Sequence, residues 1–319
     1  MKGKHNYREK CIGSLLGTAV GDILGAGVEG YSREEILNTY REVRHFLHSG
    51  REFGCYTDDT EMTVALAQSI LACGGVDAEH CAGAYAGFYT PWRGYGAGAH
   101  AALNALAQGV DYKETGYLMF KSGSFGNGGA MRIAPVGLVY CNKNDAELKK
   151  AVYDAVMCTH LHPEGIDGAL VQAKAVALLT NIENPAGFKP DAFLDTLYNI
   201  SASSAMKMKI MYLRDMLNKD ISDEQAINYL GNGIRAVEAV SCALLALVRY
   251  YPEPEEAVVK SVNFGGDTDT IGAMTGAQIG ALHGKDWIPK RWLDDMENED
   301  YGKDYIIKLA SDLSAIIQT

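Results

Sequence analysis

Apolar residues recur along this chain at helical spacing. Cys11, Ile12, Leu15, Leu16, Ala19, Val20, Ile23 and Leu24 share one face of a 3.6-residue repeat. Met62, Leu66, Ala67, Ile70 and Leu71 make a second such face, and Ile306, Ile307, Ala310, Leu313 and Ile316 a third. No series of alternating apolar and polar positions marks strands, and no strand–helix–strand rhythm recurs. The pattern predicts an all-α fold, a compact multi-helix bundle forming a single domain over residues 1–319. Proline and glycine punctuate the helices near Pro91, Pro135, Pro163, Pro185 and Pro252 to Pro254. No linker or low-complexity tract divides the chain. Residues 183–225 are polar and carry Met and Lys, and they read as peripheral helices away from any site.

Glycines repeat inside this pattern at intervals of four: Gly13, Gly17, Gly21 and Gly25, then Gly272, Gly276, Gly280 and Gly284. Such spacing makes a smooth ridge that lets another backbone approach closely. It lowers helix propensity by about 1 kcal/mol per Gly relative to Ala. Two ridged helices suit the centre of the bundle. Each adjoins acidic residues, with Asp22 in the first and Asp267 and Asp269 before the second.

The chain has 319 residues and is 47% hydrophobic, enough for a large core. Its net charge of −11 argues against nucleic acid or an anionic membrane as partner, because phosphate surfaces need clustered Lys and Arg. A small anion can still be bound through metal ions and backbone N–H groups. Seven scattered cysteines without a Cys-x-x-Cys pair point to a reduced, cytoplasmic protein. No apolar run approaches the roughly 18–20 residues of a membrane span. Lys2, Lys4, Arg8 and Lys10 before Cys11 superficially resemble a signal peptide, but Asp22 interrupts the apolar stretch, so secretion is not expected.

Two acidic tetrads carry the strongest chemical signal: Thr57-Asp58-Asp59-Thr60 and Asp267-Thr268-Asp269-Thr270. Each opens a helical stretch, where Asp and Thr also serve as caps. Their oxygens suit a hard divalent cation such as Mg²⁺. Two such clusters meeting in space would hold two metals about 3.5–4 Å apart. Ser122 to Gly129 forms a Gly-rich loop before the apolar run Ala130 to Leu138, a backbone suited to anions but also an ordinary turn. A second Gly-rich stretch, Arg93 to Gly98, is equally weak by itself. Glu29, seven residues after Asp22, is a candidate general acid or base on a loop, or a solvated side chain. The His160-x-His162 pair lacks further zinc ligands nearby and reads as structural or hydrogen-bonding. The second tetrad also matches an aspartyl-phosphatase motif, but lacks the apolar strand that motif requires.

Taken together these blocks resemble the ADP-ribosyl-acceptor hydrolase family. The matching segments are GTAVGDILGAGVE (17–29), YTDDTEM (56–62), SFGNGGAMRIAP (124–135), THLHPEGIDG (159–168) and FGGDTDTIGAMTGAQIGALHG (264–284). The resemblance implies an all-α fold with a central two-Mg²⁺ site, Mn²⁺ being a possible substitute. It implies Thr57, Asp58, Asp59, Asp267, Asp269 and Thr270 as metal ligands and Glu29, on a mobile flap, as the catalytic carboxylate. Gly98, Gly123, Ser124, Phe125, Gly126, Asn127, His160 and Asn232 would bind substrate, with Phe125 against the adenine. Phe120 would add an adenine contact, although its spacing to the loop is one residue short. Asn127 to Arg132, Leu230 to Gly233 and Asp267 to Ile271 look most like the ADP-ribosylserine and poly(ADP-ribose) hydrolase branch. The implied activity is hydrolysis of the C1″ O-glycosidic bond of ADP-ribosylated serine in a protein or peptide, with poly(ADP-ribose) or O-acetyl-ADP-ribose as further substrates and ADP-ribose as product. ADP-ribosylarginine hydrolysis of the dinitrogenase-reductase-activating type and a non-catalytic ADP-ribose-binding module are the alternatives. No nucleic acid or membrane is implied as partner, and a monomer is expected.

Overall fold

The twenty-five-residue helix that opens the computed structural model, α1 (Lys2–Ala26), is wrapped by the rest of the chain. The structure describes residues 2–317, with side chains from Tyr7 onward. Among these residues the helices are α1, α2 (Arg33–Tyr40), α3 (Asp58–Cys73), α4 (Ala78–Phe88), α5 (Ala97–Ala107), α6 (Tyr112–Thr115), α7 (Gly128–Met131), α8 (Ala134–Val139) and α9 (Asp145–Val156). There follow α10 (Pro163–Thr180), α11 (Pro190–Ile200), α12 (Ser204–Met216), α13 (Asp223–Leu230), α14 (Ala236–Tyr250), α15 (Pro254–Val262), α16 (Thr268–His283), α17 (Lys290–Asp295) and α18 (Lys303–Ile316). No strand occurs among the described residues, so the expected all-α architecture holds.

The sequence marks one apolar face on α1, yet the helix is buried on every side from Lys10 to Ala26. Its polar residues are satisfied inside the protein. Ser14 donates to the Ala277 carbonyl at 3.0 Å, and Thr18 to its own helix at Ser14. The two glycine ridges meet, as their period suggested. A Cβ on Gly17 would lie 2.2 Å from the Gly276 oxygen, and one on Gly21 would lie 2.0 Å from the Gly272 oxygen. Real Cβ atoms cannot approach so closely, so α1 and α16 run antiparallel with backbones in contact, and only glycine fits. This contact fixes the relative height of the two helices, and so places Asp22 and Gly25 beside the start of α16.

The other two faces read from the sequence lie on α3 and α18. Met62, Leu66, Ala67 and Ile70 are buried, but Leu71 sits at the outer edge of α3 with 36% exposure. On α18, Ile306, Ala310 and Leu313 are buried while Ile307 and Ile316 are half-buried. Prolines open helices at Pro163, Pro190 and Pro254, where the missing N–H has no partner to lose. The 183–225 segment supplies α11 and α12, whose apolar sides, including Leu194, Leu197, Ile210 and Leu213, cover the core. Among the described residues no helix is long and apolar enough to cross a membrane.

Candidate functional site

Both acidic tetrads are tied to the C-terminal end of α1. Asp22, fully buried, accepts from the Thr57 N–H at 3.0 Å and from the Thr60 N–H at 3.1 Å. It also accepts from the Thr60 hydroxyl at 2.5 Å. Asp22 therefore satisfies the otherwise unpaired donors that open α3. On the other tetrad, the Thr268 hydroxyl donates to the Gly25 carbonyl at 2.9 Å. A Cβ on Gly25 would stand 2.4 Å from the Asp269 nitrogen, so α16 begins against α1 backbone. Capping holds for one tetrad only: Thr57 caps α3, accepting from the Asp59 N–H at 3.2 Å, whereas Asp267 stands at the start of α16 without a side-chain capping bond. One hydroxyl of each tetrad, Thr60 and Thr268, anchors it to α1, while Asp58, Asp59, Asp267, Asp269 and Thr270 face one cavity.

Glu29, Asp267 and Asp269 present carboxylate oxygens within 4.8 Å of one another. Burial, with the charges of Asp22, Asp58 and Asp267, raises Asp59 well above the usual carboxylate range. Burial and the charges of Asp267, Asp59 and Glu29 do the same to Asp269. Asp58 is pushed up to about 8 by burial and by Asp22, and Asp22 to about 6 by burial. Burial and Asp267 raise Glu29, while the Arg51 cation opposes the rise. Asp59 Oδ1 is buried without a hydrogen-bond partner. The cluster thus combines all-oxygen donors, an orphaned carboxylate oxygen and crowded negative charge, which fits a hard divalent cation.

Glu29 sits in the turn after α1 and is not on a free loop. The Gly30 N–H donates to the Gly266 carbonyl and the Gly266 N–H to the Tyr31 carbonyl, both at 2.8 Å. The turn that carries Glu29 is thereby bonded to the turn that precedes α16. Gly266 adopts φ +77°, and a Cβ there would lie 2.1 Å from the Asn232 carbonyl oxygen, so the pinning requires glycine.

The cluster forms part of the wall of a cavity of about 370 Å³. Glu29, Asp58, Asp59, Asp267, Asp269 and Thr270 all face it. Met119, Phe120, Phe125 and Ile234 give it an apolar surface, with Phe120 45% and Phe125 43% exposed. Gly98 lies in the wall opposite the Phe120 ring, where a Cβ would meet Cε2 at 3.3 Å. Ser124, Gly126 and Asn127 line it as well. The loop is held by its neighbour chain segment, since Asn127 N–H donates to the Ile234 carbonyl and Ala236 N–H to the Phe125 carbonyl, both at 3.0 Å. Asn127 Nδ2 donates to Asp267 Oδ2 at 2.5 Å and so joins the loop to the acidic cluster. The loop leads only into the single turn α7, not into a long helix. Pro135 has no N–H to continue the ladder, and α8 restarts around it.

Three expected site residues lie behind the wall. Thr57 sits beneath the cluster, within 3.4 Å of Asp59 Oδ2 through its hydroxyl. Gly123 packs on Leu161 and His162, where a Cβ would come 2.4 Å from the His162 nitrogen. Asn232 does not face the cavity: its Nδ2 donates to the Phe264 carbonyl at 3.0 Å and its carbonyl accepts from the Asp267 N–H at 2.8 Å. It buttresses the turn that carries Asp267. The His-x-His pair does not converge either. His160 faces the cavity, whereas His162 caps α10 by accepting from the Glu164 N–H.

Other residues at the site carry no assignment from the motifs. Arg93 is buried between Glu61 at 3.2 Å and Glu297 at 2.9 Å, with its guanidinium 3.8 Å from the Tyr56 ring centroid. Glu61 also accepts from the Tyr95 hydroxyl at 2.5 Å and the Thr90 N–H at 2.9 Å, which fixes the Gly94–Gly96 wall. Arg132, fully buried, also lines the cavity. A lone charge inside the apolar run 130–138 was the signal for it. Arg51 packs on Gly94, where a Cβ would lie 2.2 Å from its Nη2 and 3.6 Å from Asp58 Oδ1.

Comparison with known proteins gives the same placement. The ADP-ribosylglycohydrolase family model matches residues 3–319. Human ADP-ribosylhydrolase ARH3 is 32% identical over 325 residues, covering 89% of this chain and 88% of its own. An uncharacterised protein of Archaeoglobus fulgidus is 34% identical over 310 residues, covering 94% and 96%. A solved structure described as an ADP-ribosylglycohydrolase-related protein complex superposes with a TM-score of 0.75 at 27% identity, covering 98% of this chain and 99% of that one. The chain belongs to the ADP-ribosylglycohydrolase family, hydrolases of glycosyl bonds, in its ARH3-like branch.

Proposed function

We propose that this protein is a Mg²⁺-dependent hydrolase that cleaves the C1″–oxygen bond joining ADP-ribose to a serine side chain and releases ADP-ribose. The observation that carries the reading is the meeting of both acidic tetrads and Glu29 on the wall of one cavity that also has aromatic and Gly-rich surfaces. Thr57, Asp58, Asp59, Asp267, Asp269 and Thr270 would hold the metal, two ions being the number the paired tetrads suit. Bound there, Mg²⁺ supplies positive charge that orients the ribose hydroxyls and polarises water.

The chain's own groups would do the rest. Glu29, with its carboxyl on the cavity wall beside Asp267 and Asp269, would carry a proton. It would give that proton to the serine oxygen as the C1″–O bond breaks, and recover one from the attacking water. Ser124, Gly126 and Asn127 would hold the diphosphate and adjoining ribose, and Phe125 and Phe120 would lie against the adenine. Gly98 would leave room for the ligand beside Phe120. The buried walls act by positioning, since no covalent intermediate is needed.

Serine rather than arginine is favoured by Asn127 to Arg132, Leu230 to Gly233 and Asp267 to Ile271, which look most like the serine-directed branch. The test is side-by-side turnover of serine- and arginine-linked ADP-ribosyl peptides. The serine peptide is expected to react at least about 10-fold faster, a difference of about 1.4 kcal/mol in barrier. Equal or faster release from arginine would overturn the acceptor assignment.

A further inference from the structure

We propose that Arg132 and Thr159 are positioning residues that fix His160 in one tautomer, with its Nε2–H directed into the cavity as a donor to a diphosphate oxygen of ADP-ribose. The inference rests on the ADP-ribose reading for the identity of the acceptor, but the tautomer follows from counting protons.

Arg132 lies 4.5 Å over the Tyr85 ring and donates from Nη1 to the Gly128 carbonyl at 2.6 Å. Its Nη2 donates to Thr159 Oγ1 at 2.7 Å. A guanidinium has only donors, so the threonine oxygen must accept from it. The threonine proton then has two candidate acceptors, the Val156 carbonyl at 3.3 Å and His160 Nδ1 at 2.8 Å. The Val156 carbonyl already accepts from the Thr159 N–H at 3.0 Å and the His160 N–H at 2.8 Å, which uses both lone pairs. The hydroxyl proton therefore points at Nδ1, and the ring's own proton resides on Nε2. A doubly protonated ring is excluded at ordinary pH, because burial and the neighbouring Arg132 push His160 down to about 3.

The Nε2 edge is left open by glycine. A Cβ on Gly128 would lie 3.1 Å from Nε2, and one on Gly126 would lie 3.6 Å away. His160 is only 6% exposed and faces the cavity. An N–H so placed gains most from a ligand oxygen, because no bulk water competes for it. The Ser124–Gly128 loop that flanks it is the segment proposed to hold the diphosphate. The relay Arg132–Thr159–His160 thus ties the proton on the His160 ring to a buried arginine on the cavity wall.

The test uses the Mg²⁺-loaded full chain with ¹⁵N-labelled histidine. Long-range ¹H–¹⁵N spectra of the wild type should show His160 protonated at Nε2 with an acceptor-type Nδ1. Thr159→Val should lose that pattern and bind ADP-ribose about 10-fold more weakly by calorimetry, the size of one lost hydrogen bond. Thr159→Ser, which keeps the hydroxyl, should bind as the wild type does. A merely structural role for Thr159 would lower thermal stability without altering the ring's proton pattern. An Nδ1-protonated wild type would overturn the relay, as would Thr159→Val with unchanged spectrum and affinity. Should Thr159→Val fail to fold, the wild-type spectrum alone decides. Absence of ADP-ribose binding by a wild type that shows the Nε2–H pattern would uphold the tautomer and overturn the functional reading instead.

Discussion

Asp22 does not line the cavity, yet it decides where two acidic residues point. Its carboxylate takes the Thr57 and Thr60 N–H groups and the Thr60 hydroxyl, so the first turn of α3 is aimed by a side chain of α1. Asparagine would place an NH₂ against one of these donors and leave it unpaired. We expect Asp22→Asn to weaken Mg²⁺ binding about 10–100-fold in a calorimetric titration, the usual effect of losing a residue that orients metal ligands, with helix content unchanged. Wild-type affinity would show that the tetrad orients itself. The tetrads were legible in the sequence because the same acidic pattern occurs twice at helix starts. Asp22 was visible only as a neighbour, since nothing in its own segment shows that it meets residue 57. Asn232 misled for a related reason. A Gly-Asn-Gly run can serve a ligand or a backbone turn, and here its amide and carbonyl are spent on the Phe264–Asp267 turn.

The contact between α1 and α16 is the element on which the site depends. Glycines four apart announced it, and the structure shows why no other residue fits, with Gly21 and Gly272 backbones in direct contact. Gly21→Ala must either force the helices apart or distort them. Overpacking of a core typically costs about 1–3 kcal/mol, and here the obstacle is backbone that cannot swing aside. A drop in Tm measured by circular dichroism is expected, together with weaker Mg²⁺ binding in whatever protein remains folded. An unchanged Tm would contradict the packing. Helix boundaries near the Gly-rich loop were less legible. Pro135 marks a break in the apolar run 130–138, but the pattern does not show that α7 ends at Met131 and α8 opens at Ala134. The contact of the Glu29 turn with Gly266, through Gly30 and Tyr31, was not legible either. Such a pairing leaves no local mark in the sequence.

At the scale of the whole molecule, a bundle of helices concentrates negative charge at one buried place, and this has a consequence for stability. Asp22, Asp58, Asp59, Asp269 and Glu29 all have raised proton affinities in the folded state. A carboxyl raised on folding favours the folded state at low pH, and that contribution is lost as pH rises through the folded value. The metal-free protein is therefore expected to lose stability as pH rises from about 4, the unfolded carboxylate value, towards 8, where Asp58 titrates. Saturating Mg²⁺ should raise Tm at both ends of that range, and more at the upper end, because it binds the charged form. A metal-free Tm that climbs between these pH values would contradict the shared negative site. Fold class was legible from periodicity, and the glycine ridge beside the apolar face of α1 already pointed to the centre of the bundle, where the helix is buried on every side from Lys10 to Ala26. The most direct measurement is release of ADP-ribose from a serine-linked ADP-ribosyl peptide by the protein stripped with EDTA and then reloaded. Release should stop on stripping and return with Mg²⁺ or Mn²⁺. Undiminished release by the stripped protein, or none from the Mg²⁺-loaded one, would contradict the proposed function.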